Sequence, residues 1–102
     1  MTVVGFLTVA PAQDSMSAEI AKAVKALERF DVSYETTGMG TIIEAEDAAT
    51  IFDAASAAHD AVDSSRVVTS LKIDDKRGVG QTARGKVESV EEHLGREAKS
   101  GR

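Results

Sequence analysis

The polar residues best placed to meet a partner or a ligand lie on short β-rich runs. In Arg66–Asp74 (RVVTSLKID), Val67, Thr69, Leu71 and Ile73 fall on one face, and Val68, Ser70, Lys72 and Asp74 on the other. Glu44, in the run Thr41–Glu46, is expected to share the polar face, with Thr8 of the first run lying between it and the fourth. Ionised groups on a partly covered sheet are costly unless paired. Lys72, Asp74 and Glu44 are therefore expected to pair with one another, with a second subunit, or with a ligand.

Catalytic machinery is not visible. Asp74 and Asp75 are adjacent, so on a strand their side chains diverge and make a poor shared-proton dyad. His59 follows Phe52 by seven residues and reads as a histidine at the edge of a buried helix face; His93 sits beside Glu91 and Glu92 and reads as solvated. No Ser–His–Asp or Cys–His arrangement is present. The chain has no cysteine and two histidines, which removes disulfides and thiolate metal sites and makes a histidine metal centre an unsupported reading. An acylphosphatase-like hydrolase would need an arginine in the loop after the first strand, and Thr8–Met16 contains none. Gly38-Met39-Gly40-Thr41 lacks the strand-to-helix setting of a dinucleotide fingerprint and reads as a turn. Gly78-Val79-Gly80, beside Arg77, reads as a flexible loop rather than an anion cradle. The chain is expected to be no enzyme and to carry no cofactor.

The elements that position these residues follow from hydrophobic period. Thr2–Val9 is a β-rich run ended by Ala10-Pro11. Ser15 or Ser17 can cap a helix whose apolar face carries Met16, Ile20, Ala23, Val24, Leu27 and Phe30, with Glu19 in its first turn. Val32–Thr37 and Thr41–Glu46 form a hairpin across Gly38-Met39-Gly40. Asp47 caps a second helix, where Ala48, Ile51, Phe52, Ala55 and Val62 share a face. Arg66–Asp74 is the fourth strand, and Thr82 caps a last helix with Val87, Val90 and Leu94. The order is β-α-β-β-α-β plus one C-terminal helix. It predicts an α+β, ferredoxin-like domain over residues 1–102: a four-stranded antiparallel sheet, first and third strands central, with a frayed tail over 95–102.

Composition narrows the partners. At 102 residues the chain is one domain, and its net charge of −5 comes from 17 acidic residues spread along it. That distribution excludes a basic nucleic-acid footprint. No apolar run approaches the roughly 20 residues of a membrane span. The N-terminal run lacks the basic start of a signal peptide, so a cytoplasmic location is expected. In the first strand both Val3, Gly5, Leu7, Val9 and Val4, Phe6, Thr8 are mainly apolar, as in strands buried on both faces. Helices cover one face only, so a homo-oligomer is expected: a dimer through the open sheet faces, or a tetramer of such dimers.

The residues Pro11, Tyr34-Glu35, Gly38-Met39-Gly40-Thr41-Ile42-Ile43-Glu44, Arg66 through Arg77 and Gly85-Lys86-Val87-Glu88-Ser89-Val90 together resemble the YkoF-like thiamine-binding protein family. The resemblance spans nearly the whole chain and is most specific over Met39–Glu44 and Thr69–Arg77. The family commonly has Leu-Gly after the proline, where this chain has Ala12-Gln13, and glycine after the glutamate, where Ala45 stands. The resemblance implies a small ferredoxin-like domain, often dimeric or tetrameric, that binds thiamine or its hydroxymethylpyrimidine moiety in vitamin salvage or transport without turnover. It implies a site drawn from Thr8, Met39, Gly40, Thr41, Glu44, Ser70, Lys72 and Asp74. In that site a carboxylate, Glu44 or Asp74, would face the thiazolium or accept from the pyrimidine amino group. Thr8, Thr41 and Ser70 would supply hydroxyls, and Met39 or Phe6 would pack on a ring. The alternative is a structural or regulatory oligomerisation module with no small-molecule ligand.

Overall fold

The alternation of the first nine strand residues is what anchors the domain. In the computed structural model, which describes residues 2–78 and 81–99, β1 runs Val3–Pro11, with Val3, Gly5 and Leu7 buried and Val4, Phe6 and Thr8 half-buried. It is followed by α1 (Ser17–Leu27), β2 (Ser33–Thr36), β3 (Thr41–Ala45), α2 (Ala48–Ala61), β4 (Val67–Asp74) and α3 (Ala83–Leu94). The sheet is antiparallel in the order β2-β3-β1-β4, so β1 and β3 are central and the expected ferredoxin-like topology is observed.

The register fixes which side chains share a face. Val4 pairs with Glu44 on one side and Asp74 on the other; Phe6 pairs with Ile42 and Lys72; Thr8 pairs with Ser70. Directly opposed residues of an antiparallel pair point the same way. All these residues therefore stand on the sheet face turned away from α1 and α2. This corrects the expected neighbour of Glu44: Val4, not Thr8, lies between Glu44 and the fourth strand. β3 ends against Leu7, whereas β4 stays paired with β1 to Pro11, two residues beyond the expected end. A proline is tolerated there because one neighbouring strand has already finished.

The covered face packs on Val3, Leu7, Ile43 and Ala45 from the sheet and Leu27, Ile51, Ala54 and Ala58 from the helices. Most buried helix positions are alanine: Ala23 and Ala26 on α1, and Ala54, Ala55 and Ala58 on α2. These small side chains let the two helices lie close to each other and to the sheet. Gly5 serves the same end, since a Cβ there would stand 3.0 Å from Ile51 Cγ2. The buried stripe of α2 runs through Ile51, Ala54, Ala55 and Ala58 to Val62. Phe52 is thus not on the core face as expected, but 58% exposed, one position out of phase with the stripe.

Helix ends follow sequence with one exception. Asp47 Oδ1 accepts the Thr50 N–H at 2.8 Å, and Thr82 Oγ1 accepts the Gly85 N–H at 2.9 Å. Neither Ser15 nor Ser17 caps α1; Met16 takes the cap position without a side-chain bond. The start of α1 is held instead through Glu19. Its carboxylate accepts the Asp63 N–H at 2.8 Å and pairs with Lys22 at 2.8 Å, tying α1 to the α2–β4 link. Lys22, then that backbone N–H, hold the Glu19 carboxyl below its ordinary range. β2 is a short, fully exposed edge, so Tyr34 and Thr36 are not core residues; Tyr34 Oη donates to Glu28 Oε2 at 2.6 Å.

Candidate functional site

A cavity of about 250 Å³ opens at one end of the sheet, between α1 and the β2–β3 turn. Its walls are Leu7 to Ala10 of β1, the α1 stripe Met16, Ile20, Val24 and Leu27, and Thr36 to Thr41. The α1 stripe recurs every three to four residues, so it delivers an apolar wall for the same reason it forms a helix face. The opposite wall depends on Gly40. A Cβ there would lie 2.6 Å from Phe6 Cζ, 2.9 Å from the Leu7 carbonyl oxygen and 2.9 Å from Thr8 Cγ2. Only a residue without a side chain lets the turn settle onto β1 this closely.

Thr37 braces that turn. Its N–H donates to the Gly40 carbonyl at 2.8 Å, its hydroxyl donates to the same oxygen at 2.8 Å, and it accepts the Met39 N–H at 3.2 Å. Met39 is left 83% exposed at the cavity rim. Across the hairpin the Thr36 and Thr41 hydroxyls meet at 3.3 Å, where either can donate. Thr41 is buried. Thr36, Thr37 and Thr41 thus put hydroxyls beside these apolar walls, Thr8 adds to the lining from β1 although it stands on the open face, and among the described residues no charged side chain lines the cavity.

Of the eight candidate residues, the fold brings Thr8, Met39, Gly40 and Thr41 together in this cavity. The other four lie elsewhere. Glu44 and Asp74 stand at the opposite end of the sheet, three register positions from Thr41, or roughly 10 Å along the strand. Both serve α3. Glu44 Oε1 accepts the Ala83 N–H at 2.6 Å, and the Asp74 carboxylate pairs with Lys86, while Gln81 Nε2 donates to the Asp74 carbonyl at 2.9 Å. Lys86 first, then Gln81, hold the Asp74 carboxyl below its ordinary range. Ser70 and Lys72 are exposed on the open face in the rows of Thr8 and Phe6. Glu44 also lines a smaller hollow of about 190 Å³ with Ser33, Glu35, Ile42, Ala83 and Arg84.

Sequence reasoning missed Thr36, Thr37 and the α1 wall. The stripe from Met16 to Leu27 was legible, but its N-terminal half looks out past the sheet rather than onto it, a fact that depends on where the hairpin turn falls. His59 is exposed at the edge of the buried α2 face; its Nδ1 meets Thr69 Oγ1 at 2.6 Å and braces α2 on the edge strand β4. Val79 and Gly80 of the Gly78–Gly80 segment, and the last three residues of the expected tail, fall outside the described residues. Among the described residues no cluster of three metal-ligating side chains occurs, and no helix is long and apolar enough to cross a membrane.

A ferredoxin-like sheet with two helices on one face and an uncharged cavity at its end defines a small α+β domain. The chain belongs to the thiamine-binding protein family, which it matches over residues 6–91, in keeping with the YkoF-like resemblance. A UPF0045 protein of Methanothermobacter thermautotrophicus is 48% identical over 94 residues, covering 86% of this chain and 95% of that one. The UPF0045 protein YqgV of Bacillus subtilis is 37% identical over 87 residues, covering 78% and 83%. Among solved structures, the hypothetical protein MJ1052 of Methanocaldococcus jannaschii superposes with a TM-score of 0.81 at 34% identity, covering 89% of this chain and 97% of that one. A candidate thiamine biosynthesis/salvage protein of Thermotoga maritima shares the fold with a TM-score of 0.76 at 24% identity, covering 88% and 99%.

Proposed function

We propose that this chain is a non-enzymatic binding protein for thiamine or its hydroxymethylpyrimidine moiety, and that the pyrimidine enters the cavity between α1 and the Thr37–Gly40 turn. The observation that carries this reading is the lining: apolar walls without a charge, with the paired hydroxyls of Thr36 and Thr41 beside them. A flat aminopyrimidine places ring nitrogen acceptors beside an amino donor, and hydroxyls answer both because each can donate and accept. A thiazolium cation finds no counter-charge there, so in whole thiamine it stays at the mouth, in water. The cavity, at about 250 Å³, is also slightly smaller than the roughly 300–1,000 Å³ typical of drug-sized ligands, which favours the pyrimidine. Micromolar affinity requires about 8 kcal/mol, supplied by ring burial and several hydroxyl bonds worth about 1 kcal/mol each.

This reading keeps Thr8, Met39, Gly40 and Thr41 as ligand residues. Glu44 and Asp74 anchor α3, and Ser70 and Lys72 belong to an interface with a second copy. Oligomerisation is supported by the unpartnered apolar side chains: Val68 on the open face, and Val87, Val90 and Leu94 along α3, are all exposed. We place the protein in vitamin salvage or transport in the cytoplasm. Titration calorimetry with thiamine and with hydroxymethylpyrimidine tests the ligand, the pyrimidine binding at least as tightly as thiamine. Absence of heat with both at millimolar concentration leaves the oligomerisation module as the function, and sedimentation velocity reports the assembly independently.

A further inference from the structure

We propose that Met16 and Met39, on opposite rims of the cavity, make ligand binding sensitive to oxidation: their conversion to sulfoxides by a hydroperoxide closes the site to its ligand. The chain has no cysteine and three methionines, of which Met1 is the first residue, so these two carry its only internal sulfur. Both line the same cavity, one from the start of α1 and one from the β2–β3 turn. Both are also reachable, at 39% and 83% exposed. An exposed thioether is the side chain of this site most open to peroxide.

The reaction balances without any further group. A thioether sulfur attacks one peroxide oxygen and the O–O bond breaks. An S–O bond forms as sulfur loses two electrons, and the proton of the transferred hydroxyl leaves with the other oxygen as water or an alcohol. The product is a strong acceptor on what had been a flexible apolar side chain. A ligand seated against the rim strips water from the cavity side of that oxygen, and two donors of the adjoining turn are already engaged. The Thr37 hydroxyl already donates to the Gly40 carbonyl, and the Met39 N–H already donates to Thr37. A buried acceptor left unpaired opposes binding.

The inference rests on the ligand reading above for its natural readout, so the test carries a second one. Protein treated with hydrogen peroxide, with site-resolved mass spectrometry confirming oxygen at residues 16 and 39, is titrated with hydroxymethylpyrimidine. Each protein is compared with its own untreated baseline. The wild type should lose affinity on the order of tenfold or more, as expected for burying one unpaired acceptor, and regain it after methionine sulfoxide reductase treatment. The Met16→Leu/Met39→Leu double variant, which keeps Met1, should show no change on treatment. In parallel, methyl NMR of Ile20, Val24 and Leu27 under xenon pressure reports entry of an apolar guest without any vitamin. Those shifts should vanish on oxidation of the wild type and persist in the treated double variant. If hydroxymethylpyrimidine fails to bind untreated protein while the xenon arm behaves as stated, the ligand reading falls and the oxidation gate stands. Unchanged xenon shifts and unchanged affinity in oxidised wild type, or an equal loss in the double variant, overturn the gate.

Discussion

Glu44 and Asp74 flank Val4 on the open face of the sheet, and both carboxylates hold the first turns of the same helix, α3. A helix N-terminus presents unsatisfied N–H groups and partial positive charge, so paired carboxylates there are favourable. α3 otherwise buries no residue, and its attachment is polar. Glu44→Ala should therefore loosen α3 and leave the cavity alone. Amide exchange over Ala83–Leu94 should quicken on the order of tenfold, as for loss of a hydrogen bond to a charged group. Hydroxymethylpyrimidine affinity should stay within twofold; a large loss would return Glu44 to the ligand site.

The Asp74 anchor is acid-labile. Its carboxyl is held below the ordinary value of about 3.9 by Lys86, then Gln81, with Lys72 adding a smaller attraction. A carboxylate whose pKa is depressed by folding contributes stability above the unfolded pKa and loses it as pH falls through the folded one. α3 protection should thus hold down to about pH 4 and decline below it. Asp74→Asn should remove most of that acid dependence. An unaltered profile in the variant would show that another group carries it.

Two glycines of one turn should differ sharply in their tolerance of a side chain. Gly40→Ala must push back Phe6, the Leu7 carbonyl and Thr8, whereas a Cβ at Gly38 meets nothing within 4 Å. Gly40→Ala should cost about 1–3 kcal/mol in urea unfolding and weaken ligand binding as the cavity wall shifts. Gly38→Ala should change stability by less than about 0.5 kcal/mol.

The phase of α2 is equally open to measurement. Ile51 is fully buried, and Ile51→Ala should cost about 2–5 kcal/mol. Phe52→Ser, at the exposed neighbouring position, should fall within about 0.5 kcal/mol of wild type if nothing covers it. A larger loss of solubility or of oligomer on Phe52→Ser would reveal a partner on the outer face of α2.

Thr41→Val tests the hydroxyl array directly. It keeps the shape and removes one donor–acceptor beside Thr36. Affinity for hydroxymethylpyrimidine should fall about three- to tenfold, the worth of one net hydrogen bond, with little change in affinity for an apolar guest.

The element order, the hairpin, the central pair of strands and the Asp47 and Thr82 caps were legible because each rests on local period or cap chemistry. What was not legible rests on register. Thr8 was placed beside Glu44 by alternation alone, and alternation cannot say that Val4 opposes both acids; the pairing also depends on how closely the 37–40 turn seats on β1. The site residues split for the same reason. Glu44 and Asp74 were expected to pair with Lys72, a second subunit or a ligand, and it is the position of α3 that supplies their partners. Phe52 failed because Ala55 and Ala58 carry the buried stripe, and alanine gives a weak hydrophobic signal.

The alanine-lined packing of α1 and α2 closes the middle of the helix–sheet interface around Ala54, Ala55 and Ala58. The cavity lies where that close packing runs out, walled by one helix stripe and a four-residue turn that contributes little to the buried core. The cavity therefore shares Leu7, Ala23 and Leu27 with the core, while its Thr37–Gly40 wall lies outside it. Substitutions from Thr37 to Met39 can resize or re-chemise the cavity while the buried core is inherited unchanged, a division that leaves this wall free to diverge among descendants of the chain.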